Sequence, residues 1–185
     1  MSNVTPAEYL ELERQAEYKS EYYGGEMLAV ARVGARHALI VANLAGELRQ
    51  QLKTTPCRVY LSQLRLRVTG AGFYTYPDVL VICGEAAVAD DHDDTVLNPS
   101  LIIEVLSEAT QDYDRGRKFE HYRKLPTLID YLTVAQDRPH IEQWTRQENG
   151  WLLTEYDDLS QTIQLTSVAA LLSLSEVYAK VDFDH

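Results

Sequence analysis

The sequence predicts an α/β fold (α+β by some schemes): a central mixed β-sheet flanked by helices, in one domain spanning residues 1–185. Three observations carry this. Strand-like and helix-like segments interleave along the whole chain, the pattern of layered domains that put helices against a sheet. The run Leu101-Ile102-Ile103-Glu104-Val105-Leu106 is apolar on both faces except for one acid, as in a central strand covered from both sides. The length of 185 residues, with 45% hydrophobic and 24% charged content, suits one sizeable core in a soluble globular protein.

The elements follow in order. Thr5-Pro6-Ala7-Glu8 is a capping box with Pro at the first helical position, so a helix runs to about Gln15. Gly24-Gly25 marks a turn, and Glu26 to Ala31 reads as a strand. Val41, Leu44, Leu48 and Leu52 recur in steps of three and four, which predicts an amphipathic helix over His37 to Lys53, ended by Thr54-Thr55-Pro56. Strands follow at Arg58 to Leu61 and Leu64 to Val68, then a turn at Gly70-Ala71-Gly72. The apolar runs holding Asp78 and Glu104 are the next two strands, separated by residues 84–98. Tyr113 to Leu125 reads as a helix stopped before Pro126. Ile129 to Val134, His140 to Trp144, Trp151 to Tyr156 and Thr162 to Leu165 read as strands, with a hairpin turn at Asn149-Gly150 and a short terminal helix from Ser175.

Bulk properties narrow the function. No apolar run approaches the 18 or more residues of a membrane span, and the N-terminus has neither a basic nor an apolar leader region. Cys57 and Cys83 form no C-x-x-C motif and no disulfide framework, so a reducing cytoplasm is the expected compartment, with Cys83 a small core residue. The formal net charge of −11 argues against a general nucleic-acid binder, whose affinity rests on neutralising phosphates. The charge is uneven, however. Residues 32–69 carry Arg32, Arg36, Arg49, Lys53, Arg58, Arg65 and Arg67 against Glu47 alone, while residues 70–110 carry eight acids and no Lys or Arg. That is either clustering on a solvated surface or a basic flank for DNA beside an acidic metal centre. Asp90-Asp91-His92-Asp93-Asp94 lacks the central Gly and final Glu of a calcium loop and reads as a solvated acidic loop.

Asp78 and Glu104 are the residues whose placement asks for an explanation. A carboxylate in a buried strand is costly unless it is paired or binds a metal. Pro77 cannot donate to a ladder and so opens its strand, leaving Asp78 at the strand's end. If Glu104 lies across from it, the pair makes a hard-cation site suited to Mg²⁺ and phosphodiester chemistry. The bland alternatives are a turn residue after Pro for Asp78 and an ion pair with an arginine for Glu104. Asp114, Lys118 and Tyr122 are four residues apart and share a helix face. Lys118 then either forms an exposed ion pair with Asp114 or turns back toward the carboxylates. His37, on the apolar stripe of its helix, is either a hydrogen-bonded core residue or a side chain facing the site.

Tyr76-Pro77-Asp78-Val79, then Glu104-Val105-Leu106-Ser107, then Thr110, Asp114, Lys118 and Tyr122, resemble the PD-(D/E)XK nuclease superfamily. More narrowly they resemble the large bacterial family of putative restriction endonucleases. Glu21-Tyr22-Tyr23-Gly24-Gly25-Glu26 is similar to that family's entry segment, with Ser20 in place of a Tyr, and His37 fits the His that opens its second helix. The match covers roughly residues 5–178 and is most specific in its central block. The resemblance implies a restriction endonuclease-like core and a metal-dependent nuclease acting on DNA. It implies Mg²⁺, with Mn²⁺ as a substitute, held by Asp78, Glu104 and the backbone carbonyl of Val105. It gives catalytic roles to Asp78, Glu104 and Lys118, supporting roles to Glu21, His37 and Tyr122, and by analogy a homodimer. Glu21 otherwise reads as a solvated acid near a turn, and the strands of Trp144 and Trp151 serve equally as dimer contacts or as ordinary packing.

Two departures stand out. The superfamily's lysine follows the second acid by two positions, where this chain has Leu106, so the role passes to Lys118 on the next helix. Asp130-Tyr131-Leu132 stands where the family more often has Glu-Tyr-Trp, a difference read as structural. Leu106 and the acidic balance favour an alternative, a catalytically inactive nuclease-fold protein with a binding or regulatory role. A hydrolase of smaller phosphate esters also suits the charge.

Overall fold

A capping box opens the chain in the computed structural model, which describes residues 3–69, 72–107 and 113–183. Thr5 Oγ1 accepts from the Glu8 N–H and the Glu8 carboxylate accepts from the Thr5 N–H at 2.8 Å, starting α1 (Pro6–Gln15). α1 lays Tyr9 against the rings of Tyr22 and Tyr74, with centroids 5.0 and 5.3 Å away. Glu13, buried on the same helix, accepts from Ser20 N–H and Tyr76 O–H, both at 2.8 Å. These contacts fix α1 against β1 (Ser20–Tyr23), which pairs with β2 (Glu26–Ala29). The β1–β2 turn holds Gly24 at φ 60 and Gly25 at φ 95, where a side chain would strain the backbone.

The remaining elements are α2 (Ala35–Gln51), β3 (Cys57–Leu61), β4 (Arg65–Val68), β5 (Phe73–Thr75), β6 (Val79–Cys83), β7 (Thr95–Val96) and β8 (Leu101–Leu106). A π-helical turn at Asp114–Lys118 leads into α3 (Phe119–Tyr122). There follow β9 (Asp130–Ala135), β10 (Ile141–Gln147), β11 (Gly150–Tyr156), β12 (Thr162–Leu165), β13 (Ala170–Ser173) and α4 (Leu174–Val177). The main sheet has the order β11-β10-β9-β8-β6-β3, antiparallel except for the parallel β8–β9 pair. A second sheet, β2-β1-β5-β4-β7, is also mixed, and β12–β13 forms a hairpin.

Strand parity divides the core. Val79, Val81, Leu101, Ile103 and Val105 pack against Ile40, Leu44 and Leu48 of α2 and against β12, β13 and α4. Leu80, Ile82 and Ile102 take the other face, against Leu66, Val68 and Phe73 of the second sheet and Phe119 and Tyr122 of α3. Both faces of β8 are thus covered, as its apolar run requires. The expected mixed sheet flanked by helices is present, with a second sheet sharing one flank. Among the described residues no helix is long and apolar enough to cross a membrane.

Several local expectations change. β1, β5, β7 and β13 were not anticipated: they run only two to four residues, and β1 and β5 pair with each other across about fifty residues, as in Tyr22↔Tyr74. The helix expected over residues 113–125 ends at Tyr122. Cys57 and Cys83, expected to stay unpaired, sit directly opposite in the β3–β6 register and are joined by a disulfide. The spacing of 26 residues carries no trace of that register, and cysteine usage no longer argues for a reducing compartment. The acidic loop is anchored rather than simply solvated: Asp90 and Asp94 grip Arg14 at 2.7 and 2.8 Å. Trp144 and Trp151 pack on Phe119 at 4.7 and 5.3 Å, the packing alternative for these strands. Gly70, Ala71 and Thr110 lie outside the described residues.

Asp130 is fully buried and accepts from Gln143 Nε2 (3.0 Å), Thr145 Oγ1 (2.8 Å) and the Ser167 N–H (2.9 Å). It therefore ties β9 and β10 to the turn after β12, the structural role read from the sequence. Asp130→Ala is expected to cost about 2–4 kcal/mol in urea unfolding, because it leaves buried donors unmet, with no change in any metal response.

Candidate active site

The β6–β8 register pairs Val79 with Ile103, and one further step along the antiparallel ladder sets Asp78 opposite Glu104. Residues directly opposite point to one face, so both carboxylates emerge on the α3 side at the end of β6. The Asp78 N–H lies 3.4 Å from Glu104 Oε2, and Asp78 Oδ2 accepts from the Val105 N–H at 2.9 Å. In an extended strand the N–H and C=O of one residue project to the same side. The Val105 carbonyl therefore also faces the Asp78 side of β8.

The π-helical turn supplies the cation of the site. Lys118 Nζ lies 3.2 Å from Glu104 Oε1, 3.1 Å from Glu21 Oε1 and 3.1 Å from Asp114 Oδ1. Both readings of its spacing are realised, since the i,i+4 partner Asp114 is retained while the ammonium reaches the strand acids. The pair is buried rather than exposed, with Lys118 7% and Asp114 3% accessible. Inserting one residue into a helical turn re-aims side chains, and such bulges are frequent at functional sites. Tyr122, one turn later, donates its O–H to Glu104 Oε1 at 2.7 Å. Glu21 comes from β1, buried, and accepts from Thr75 Oγ1 on β5. Its reading as a solvated acid is set aside by that burial.

His37, in the first turn of α2, places Nε2 3.1 Å from Asp78 Oδ2. It is buried, as a core histidine would be, and it also contacts the site, so the two readings are not exclusive. All six side chains singled out in the sequence (Asp78, Glu104, Lys118, Glu21, His37 and Tyr122) are thus brought into one connected group. Asp114 completes it, together with Thr75 and Tyr113, which hydrogen-bonds Glu21. Thr75 and Tyr113 carried no signal in the sequence, since a buried hydroxyl beside an acid has no spacing rule.

The electrostatics of the group are unbalanced. Burial pushes the Glu104 carboxyl up to about 8; Lys118 opposes this, and the Asp114 and Asp78 charges add to it. Burial alone would lower Lys118, but Glu104, Tyr122, Glu21 and Asp114 hold its ammonium well above the ordinary value. Four carboxylates (Glu21, Asp78, Glu104 and Asp114) thus share one ammonium and one imidazole. Oxygen donors with an excess of negative charge are what a hard divalent cation takes, and this donor set is of that chemical type. A second group, His140, Glu142 and Glu155, has donor atoms within 4.8 Å of one another, but Arg115 Nε already occupies Glu142 at 3.0 Å.

The family model of Uma2, putative restriction endonucleases, matches residues 6–176. The chain belongs to this family. Among similar proteins, the uncharacterized protein sll1609 of Synechocystis sp. is 37% identical over 153 residues, covering 82% of this chain and 86% of that protein. The uncharacterized protein slr1290 of the same organism is 31% identical over 183 residues, covering 97% and 94%. Among solved structures, a putative nuclease belonging to DUF820 from Anabaena variabilis superposes with a TM-score of 0.77 over 95% of this chain and 98% of that one. At 19% identity this likeness shows the fold, a restriction endonuclease-like core, and nothing finer. The Uma2 membership and the fold accord with the resemblance drawn from Tyr76-Pro77-Asp78-Val79 and Glu104-Val105-Leu106-Ser107.

Proposed function

We propose that this Uma2 protein is a Mg²⁺-dependent endodeoxyribonuclease that hydrolyses DNA phosphodiester bonds, with Mn²⁺ able to replace Mg²⁺. The whole chain acts as one restriction endonuclease-like domain. Asp78, Glu104 and the Val105 carbonyl would hold the cation, with Glu21 behind them. When bound, the cation supplies Lewis acidity, polarising a phosphoryl oxygen and making a water molecule more acidic. The protein's own groups do the rest. Tyr122 and Lys118 fix the Glu104 carboxylate, and His37 and the Val105 N–H fix that of Asp78. The Lys118 ammonium, steadied by Glu21 and Asp114, stabilises the negative charge that grows on the phosphoryl group, or orients the attacking water.

The observation that carries this reading is the lysine. Leu106 occupies the position where the superfamily places its basic residue, and cannot serve. Lys118 arrives from a different element and sets its ammonium 3.2 Å from the second acid. The same Leu106 favours the rival reading, a nuclease fold retained for binding or regulation without turnover. A homodimer in which each subunit cuts one strand is consistent with the exposed edge strand β11, whose Leu152 and Leu153 are 55% and 39% accessible.

Asp78→Asn separates the two. Titration calorimetry with Mn²⁺ and cleavage of linear duplex DNA are expected to show binding and turnover in the parent protein. The variant is expected to lose at least 100-fold in cleavage together with its metal affinity. A parent protein that binds no divalent ion and cuts no DNA would establish the retired scaffold instead.

A further inference from the structure

Beside the carboxylates lies a cavity of about 660 Å³ whose walls are basic. Arg32 and Arg36 approach from the start of α2, Arg115 from the π-helical turn and Arg138 from the segment after β9. Its floor includes Leu106 and Ser107, at the end of the strand that carries Glu104. The acid among the lining residues is Asp137, which pairs with its neighbour Arg138 at 3.1 Å, and Arg115 Nε pairs with Glu142 outside the lining at 3.0 Å. Four guanidinium groups in one cavity are unexpected in a chain whose formal net charge is −11. The basic stretch of residues 32–69 has been sorted by the fold. Arg65 is buried against Tyr76 and Thr95, Arg49, Lys53 and Arg58 lie around a separate depression, and Arg32 and Arg36 come here.

The 17-residue helix α2 also begins at this cavity. Its N-cap is Gly34, without a side-chain cap and without an acid in the first turn. The first intrahelical bond drawn from this end is that of the Ala38 N–H to Gly34 O, so the N–H groups of Ala35 and His37 stand ahead of the ladder. Such an end favours an anion. A second observation points the same way. His37 lines the cavity, is 5% accessible, and its buried Nδ1 has no hydrogen-bond partner among the described residues.

We infer that this cavity is a phosphate subsite, which seats a backbone phosphate of the substrate strand on the α2 N-terminus and on Arg32, Arg36, Arg115 and Arg138. Leu106 lies two residues, about 7 Å of extended strand, beyond Glu104. At about 3.4 Å of helix axis per nucleotide, the seated phosphate is one or two nucleotides from the scissile one. The inference rests on the nuclease reading for the identity of the strand. The anionic chemistry of the ligand follows from the cavity itself. In a chain of formal net charge −11, this subsite gives an anionic polymer a basic approach to the carboxylates.

The test is fluorescence anisotropy with a labelled DNA duplex in Ca²⁺ over a range of salt concentrations. Arg32→Gln with Arg138→Gln is expected to weaken binding at least tenfold and to reduce the slope of log K against log salt by about 2. Arg49→Gln with Lys53→Gln, which removes the same charge from the far end of α2, is expected to change binding less than twofold. Gly34→Asp guards against misfolding, because it adds a capping acid where the added Cβ meets nothing within 4 Å. It is expected to keep or raise the melting temperature and still weaken binding tenfold. Equal losses from the two double variants, an unchanged slope, or no binding by the parent protein at low salt would overturn the subsite. Cleavage is read separately. A protein that binds through this cavity and never cuts keeps the subsite and loses the nuclease reading, and cutting with an unchanged slope does the reverse.

Discussion

Lys118→Met is expected to lower metal-free stability by about 3–5 kcal/mol and to abolish cleavage. Spacing alone describes Lys118 as a catalytic group that the fold could spare. Its burial changes that expectation: one ammonium stands 3.1–3.2 Å from Glu21, Glu104 and Asp114, and removing it strands three carboxylates away from water. Removing one partner of a buried ion pair has costs of this order, because the charge left behind is uncompensated. For a chain of this size that is a fall in melting temperature of about 10 °C. A divalent ion should return more than half of it, since it replaces the missing positive charge. Cleavage should remain at least about 100-fold below the parent protein even with metal, as the group stabilising the transition state is gone. Melting curves with and without Mn²⁺ decide the first part. A variant as stable as its parent in metal-free buffer would show that the ion cluster is not what holds this region, and normal turnover would remove Lys118 from the chemistry.

Stability without metal is expected to fall as pH rises from about 5 to 8. Glu104 holds its proton in the folded protein up to about 8 but releases it near the ordinary carboxylate value when unfolded. Between these limits the folded state binds one proton more, and stability decreases with pH. Lys118, raised above its ordinary value, contributes a slope only in strongly alkaline solution. Asp94, which the Arg14 guanidinium holds down at about 2, contributes stability that is lost only in acid. Within this window Glu104 supplies the falling slope, while His121, whose imidazole burial holds below its ordinary value, supplies a slope of the opposite sign, so the difference between the parent and Glu104→Gln isolates the Glu104 part. A change equivalent to one pKa unit, about 1.4 kcal/mol, should be visible in urea unfolding. Saturating Mg²⁺ should flatten the profile, because the cation favours the ionised carboxylate. Glu104→Gln should flatten it without metal, and should be more stable than the parent at pH 8. A metal-free profile that rises over this range would mean that Glu104 is ionised and fully compensated by Lys118.

Much of the candidate site could be read from side-chain chemistry and chain order. An acid in an apolar run is conspicuous because its burial needs a reason, which marks Asp78 and Glu104 without any structure. The steps from Asp114 to Lys118 to Tyr122 mark a shared helix face. What the chain order does not contain is depth. Whether Lys118 formed a surface pair or a buried one depended on the π-helical turn, and Gly116 in its middle gives no periodic signal. Thr75 and Glu21 meet only because β1 pairs with β5, strands about fifty residues apart whose shortness hides them from pattern reading. The same holds for Cys57 and Cys83, which meet through the β3–β6 register.

By itself, the sequence determined the layered architecture, the main helices and strands, and the identity of the acids and lysine, since these follow from local periodicity and the cost of burying charge. The tertiary structure decided which of the arginines gather at one cavity, that three carboxylates share one ammonium, and that His37 reaches Asp78 from the opposite layer. Those outcomes depend on sheet register and on the packing of elements far apart in the chain, and electrostatic interaction falls off with distance in space, whatever the separation along the sequence.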